Sequence, residues 1–167
     1  RVMKKILLLL SFIIGYSAFS AAQNVTRTQH RTAVTTDAVT TGTVTIRKPE
    51  YIAISTNEGR EQLIMDGTQF TMTIGGKQHV TDSRRNPQFA TFHEVLKAAI
   101  TGESILESEE VTVTTKNGRK TVAITPQAKK KRQMFTSFVL VIDNRTSAFC
   151  QLRMNERGGN YVLYDFK

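Results

Sequence analysis

The chain has 167 residues, 40% hydrophobic and 22% charged, which is enough for one ordinary core and too little apolar character for a protein of several membrane spans. Three prolines and ten glycines exclude a collagenous or mucin-like chain, and a single cysteine excludes an intrachain disulfide framework or a cysteine-based zinc site. The formal net charge is +9.

The first residues read as a secretory leader. Lys4 and Lys5 come just after Met3, positions 6–14 are almost wholly apolar, and small residues fill most of 17–22, the three-part pattern of a signal peptide. The apolar run falls short of the roughly 20 residues a spanning helix wants, and Gly15, Ser17 and Ser20 prevent its extension toward the C-terminal side. Cleavage is expected after Ala22, or alternatively after Ser20, and Arg1 and Val2 lie upstream of the expected initiator. Removing 1–22 takes away Arg1, Lys4 and Lys5 and no acid, so the remainder keeps a charge of +6 from 20 basic and 14 acidic residues. No cysteine comes directly after the leader, so an acylated N-terminal Cys is not expected. An exported compartment of the bacterial periplasmic type suits this pattern.

Residues 23–41 are threonine-rich with few large apolar side chains, and read as an exposed arm or an edge strand. Short alternating runs come next at 42–47, 51–55 and 62–65. Asp66-Gly67 leads to a run at 69–74, and Gly75-Gly76 closes it; both dipeptides are hairpin signals. Phe70, Met72 and Ile74 share one face of their strand while Gln69, Thr71 and Thr73 share the other, the period of a half-buried antiparallel sheet. At Asn86-Pro87 the period changes. Asn86 is the N-cap, Pro87 opens the first turn and Gly102 ends a helix of about four turns, along which Phe89, Phe92, Leu96, Ala99 and Ile100 form one stripe. Strands resume at 110–115, 120–125, 135–143, 147–155 and 161–166, with Asn117-Gly118 and Gly158-Gly159 as turns. Val139, Leu140, Val141 and Ile142 are apolar in succession, which predicts a strand covered on both faces at the centre of the sheet. The expected fold class is mainly β with one or more helices (α+β): a curved antiparallel sheet forming an incomplete barrel covered by a helical lid. The domain reading is a leader at 1–22, the arm at 23–41, and one domain at 42–167.

Catalytic constellations are missing from this pattern, and the chain does not read as an enzyme. His30, His79 and His93 fall on an arm, a hairpin and a helix and form no pair. The run from His93 through Glu94 to Lys97 begins like a zinc-protease helix but carries lysine where the second histidine belongs. Gly75 and Gly76 lack the Lys-Ser/Thr of a phosphate-binding loop. Ser83, Arg84 and Arg85, like the basic run at 129–132, come without interleaved aromatics, so they read as solvated loops and no nucleic-acid partner is expected. Neither a metal nor a cofactor is predicted.

The unusual feature is soft and apolar. Phe70, Met72, Phe89, Phe92, Met134, Phe138 and Met154 are all available to one sheet face and the helix stripe, and such side chains build adaptable linings. Periodicity allows either a packed core or an apolar pocket.

The run from Gly42 through Thr43, Val44, Thr45, Ile46, Arg47, Lys48, Pro49 and Glu50 to Tyr51 and Ile52 resembles the signature strand of the outer-membrane lipoprotein carrier (LolA) family. The stretch from Leu63 through Asp66-Gly67 to Phe70 resembles its second marker. Ile124 to Gln127 and Phe138 to Asp143 resemble later strands. The resemblance implies a carrier or chaperone in the periplasm of a Gram-negative bacterium, shielding lipoprotein acyl chains between an inner-membrane releasing transporter and an outer-membrane receptor, and acting as a monomer. Its cavity would be lined by Ile54, Phe70, Met72, Phe89, Phe92, Leu96, Phe138, Leu140 and Met154. Arg47 and Lys48 would stand where the family carries an arginine that holds the lid, although lysine cannot reproduce the planar fork of a guanidinium. The family's N-terminal helix and its final aromatic strand and proline have no counterpart in this pattern. The reading from another class is an exported structural or adhesive β-domain with a packed core and no ligand.

Overall fold

The computed structural model describes residues 22–127 and 133–167. The predicted leader lies almost wholly outside them and the basic run at 129–132 entirely so. Six strands, β1 (Gln23–His30), β2 (Ala38–Arg47), β3 (Tyr51–Thr56), β4 (Glu61–Asp66), β5 (Gln69–Ile74) and β6 (Lys77–Asp82), precede helix α1 (Pro87–Thr101). Five come after it: β7 (Val111–Lys116), β8 (Arg119–Ile124), β9 (Phe135–Asp143), β10 (Phe149–Glu156) and β11 (Tyr161–Phe166).

Local chemistry accounts for most of these boundaries. Asn117 and Gly118 both take positive φ, 51° and 73°, the twist that lets a two-residue turn join strands without splaying them. At α1, the Asn86 side chain accepts a hydrogen bond from the Gln88 amide, Pro87 occupies the first turn, and Gly102 ends the helix in the left-handed region at φ 76°. Cap, proline and stop fall where the sequence places them.

All eleven strands form one antiparallel sheet in the order β6-β5-β4-β3-β2-β1-β11-β10-β9-β8-β7. The chain meanders out from the middle to β6, crosses through α1 to the opposite edge at β7, and meanders back to β11, which pairs with β1. The two edges do not pair, so the sheet remains an incomplete barrel, with α1 over one face. The fold class is therefore the expected one.

Three details differ from the sequence reading. Residues 23–30 are neither an arm nor an edge: β1 is the sixth of eleven strands, hydrogen-bonded to β2 and β11 on its two sides. Threonine's branched Cβ suits a pleated interior position as well as an exposed one, so its abundance did not discriminate. Only 31–39 is exposed in the manner foreseen. The strand containing 139–142 is third from an edge rather than central, and its Val139 and Val141 are only half-buried while Phe138, Leu140 and Ile142 are buried. A run of apolar residues there reflects one packed face and one partly wet face.

Between β2 and β3 the sheet is unusually tight. A Cβ placed on Gly42 would lie 1.8 Å from the Ser55 carbonyl oxygen, so this position admits no side chain. Gly42 is thus a packing requirement of the β2–β3 pair.

Candidate functional site

The site lies on the sheet face that α1 covers. Alternation brings Ile52 and Ile54 of β3, Leu63 and Met65 of β4, Phe70 and Met72 of β5, Phe138 and Leu140 of β9, and Leu152 and Met154 of β10 onto this face, all of them buried. The helix stripe meets them with Phe89, Phe92, Val95, Leu96, Ala99 and Ile100. Phe92 stacks on Phe138 with ring centroids 4.1 Å apart, Phe70 lies 4.9 Å from Phe89, and Phe135 meets Phe89 edge-on at 6.1 Å. This interdigitated cluster fills the space beneath α1.

Polar contacts tether the helix across the sheet. Gln88 accepts a hydrogen bond from the Phe135 amide at 3.1 Å, Thr91 donates to Glu110 beside β7, and His93 Nε2 lies 2.9 Å from Glu50 Oε2 in the β2–β3 turn. Lys97 Nζ approaches the same carboxylate at 3.8 Å. Arg47 and Lys48, expected from the sequence to hold a lid, take no part in these contacts. Both are exposed, and the Arg47 guanidinium lies 4.0 Å over the Tyr51 ring. Glu50, just past the proline, holds the helix instead. The reason is geometric: the turn ends the strand alternation that the latch reading assumed, and the third residue after Arg47 faces α1.

Beyond the helix an open cleft of about 300 Å³ remains on the same face. Leu63, Met72, Ile74, Met134, Met154 and Val162 supply its apolar wall, and no residue of α1 lines it. Of the nine residues named from the sequence as cavity lining, Met72 and Met154 border this cleft, whereas Ile54, Phe70, Phe89, Phe92, Leu96, Phe138 and Leu140 belong to the packed cluster.

One part of the cleft was not foreseen. Arg27 projects from the middle of β1 onto the apolar face, 3% exposed, the sole charged side chain that is fully buried among the described residues. Its Nη1 lies 3.2 Å from Glu61 Oε1, and Glu61 Oε2 accepts hydrogen bonds from Thr40 at 2.7 Å and Thr56 at 2.8 Å. Tyr164, opposite Arg27 on β11, has its phenol pushed above the ordinary range by burial, with the nearby guanidinium opposing the shift. Arg27 stands two residues from Val25 in an alternating run, the only hint available, and exposed arginines occur in the same pattern.

The histidines remain apart: His30 pairs with Asp37 at 2.7 Å, His93 with Glu50, and His79 sits on the edge strand β6. Among the described residues no three His, Cys, Asp or Glu side chains gather as a metal site. No helix among them is long and apolar enough to cross a membrane.

No family model and no curated protein matches the chain. Among solved structures it is similar to a LolA superfamily protein from Nitrosomonas europaea, with 9% identity, a TM-score of 0.33, and coverage of 87% of this chain and 83% of that one. A DUF1329 family protein from Desulfovibrio piger gives 12% identity and a TM-score of 0.37, covering 87% and 82%. A chain of the complex between the CwlD amidase and the GerS lipoprotein from Clostridioides difficile gives 11% and 0.34, covering 85% and 82%. Identities and TM-scores this low carry no residue's role across.

Proposed function

We propose that this chain is a non-catalytic binding protein that takes an acyl chain into the cleft beside α1, on the sheet face that the helix partly covers. The observation that carries the reading is the cleft of about 300 Å³, walled by Leu63, Met72, Met154 and Val162 and continuous with the apolar face beneath a helix held by a few polar tethers. Burying a methylene is worth about 0.8 kcal/mol, so a chain of about 16 carbons left in water would cost on the order of 10 kcal/mol. A cleft of this size stands at the low end of the range of about 300–1,000 Å³ for small-ligand sites. It accommodates part of one chain, and further uptake requires α1 to lift and expose its phenylalanine stripe.

The finer reading rests on the strand motifs from Gly42 to Asp143. The passenger is the acylated end of a lipoprotein, the compartment is the periplasm, and the partners are a releasing transporter on one membrane and a receptor on the other. The net positive charge of the chain favours docking to acidic surfaces. Native mass spectrometry of protein purified without detergent, together with displacement of a fluorescent fatty acid, tests the binding step. A saturable 1:1 site is expected. A protein that takes up no amphiphile under these conditions supports the second reading, an exported structural or adhesive β-domain, which the close stacking of Phe92 on Phe138 favours.

A further inference from the structure

The apolar wall of the cleft explains affinity for a chain but leaves Arg27 unexplained. A guanidinium carries five N–H donors and stays charged at every accessible pH. In Arg27, Nε is buried without a hydrogen-bond acceptor among the described residues, whereas Nη1 lies 3.2 Å from Glu61 Oε1 and the guanidinium sits beside the Tyr164 phenol. Glu61 supplies Oε1 to Nη1, while Thr40 and Thr56 engage its Oε2 and hold the carboxylate in place, so Nε is the donor left unmet. Buried donors are nearly always satisfied, so a persistent exception in a ligand-sized cleft marks a place where a ligand atom belongs. The surroundings favour an acceptor with negative charge. Arg27, Arg31 and Arg157 line the cleft against two acids, Glu61 and Glu156.

We propose that the cleft selects single-chain amphiphiles with an anionic oxygen head, carboxylate or phosphate, placing the head at Arg27 and the chain along Met72, Met154, Leu63 and Val162. This rests on the reading of the cleft as an acyl-chain site and adds the chemistry of the head. Strand geometry makes the arrangement specific. β1 lies at the middle of the sheet, so its inward side chain reaches the cleft floor and faces Tyr164 of β11 and Thr40 of β2 in register.

Isothermal titration with four ligands of equal chain length separates the contributions: laurate, dodecyl phosphate, dodecanol and dodecyltrimethylammonium, each below its micelle concentration. The anions are expected to bind at least tenfold more tightly than dodecanol, with the cation weakest, and the stronger of the two anions identifies the head group. Replacing both charges, Arg27→Met with Glu61→Gln, should bring laurate to the level of dodecanol without abolishing either. If that variant does not fold, selectively labelled arginine in the native protein gives a second measurement, in which laurate should shift the Arg27 Nε–H resonance and dodecanol should not. Equal affinity of laurate and dodecanol for the native protein overturns the head-group assignment and leaves the acyl-binding reading intact. Failure of all four to bind overturns both.

Discussion

A buried guanidinium at the centre of an apolar face is costly to desolvate, and its carboxylate partner offsets that cost only while both are present. Glu61→Gln is therefore expected to destabilise the fold by about 3–5 kcal/mol, because it strands Arg27, whereas combining it with Arg27→Met should restore most of the loss. Urea unfolding of the two variants checks this. One local contribution to pH dependence comes from Asp143. The backbone amides of Thr146 and Arg145 hold the Asp143 carboxyl below its ordinary range. A depressed carboxylate contributes stability that is complete above the unfolded value of about 3.9 and disappears as pH falls through the lower folded one. The melting temperature of Asp143→Asn should accordingly vary less than that of the native protein below about pH 4.

At the scale of elements, two features control how firmly α1 and its sheet are held. Gly42 lets β2 and β3 approach closely, and Gly42→Ala would drive a methyl group into the Ser55 carbonyl. The expected loss is about 1–3 kcal/mol, as for other overpacked sites, read from a urea titration. Glu50 anchors α1 through His93 from a turn outside the helix. Glu50→Ala should cost about 1 kcal/mol and speed amide exchange along α1 roughly fivefold, leaving β1 and β11 unchanged. Helix boundaries were legible in the sequence, since Asn86, Pro87 and Gly102 act within a turn of the residues they cap. The anchor was not legible. His93 and Glu50 are 43 positions apart, and no periodicity within either segment signals that they meet.

For the molecule as a whole, the division of one apolar face into a filled part and an open part sets what can be bound without rearrangement. A short chain such as octanoate should enter the cleft and leave amide exchange in α1 unchanged. Palmitate exceeds the space there and should accelerate exchange in α1 by displacing it from the phenylalanine cluster. Hydrogen-exchange mass spectrometry with both ligands distinguishes the cases, and identical protection of α1 under both would show that the helix does not act as a lid. Six of the side chains read from the sequence as cavity lining, Ile54, Phe70, Met72, Phe138, Leu140 and Met154, share one buried sheet face as their alternation required, and Phe89, Phe92 and Leu96 face them from the helix stripe. Alternation says which side of a strand a residue takes and nothing about how closely the opposite wall approaches, so it could not separate Met72, at the cleft, from Phe70, in the stack.

What the amino-acid sequence determined by itself was everything local: strands with one wet face, the glycine turns, the capped helix and its apolar stripe. These arise from interactions within a few residues, and they suffice for the fold class. Only the tertiary structure decided that β1 pairs with β11, Val25 opposite Phe166, and so turns a threonine-rich segment into the middle of the sheet. On the other side of β1, pairing through β2 and β3 to β4 brings Arg27 to Glu61 beside the cleft. Burial, charge pairing and empty volume depend on which distant segments the packed chain brings together, and a pattern read along the backbone holds no record of that distance.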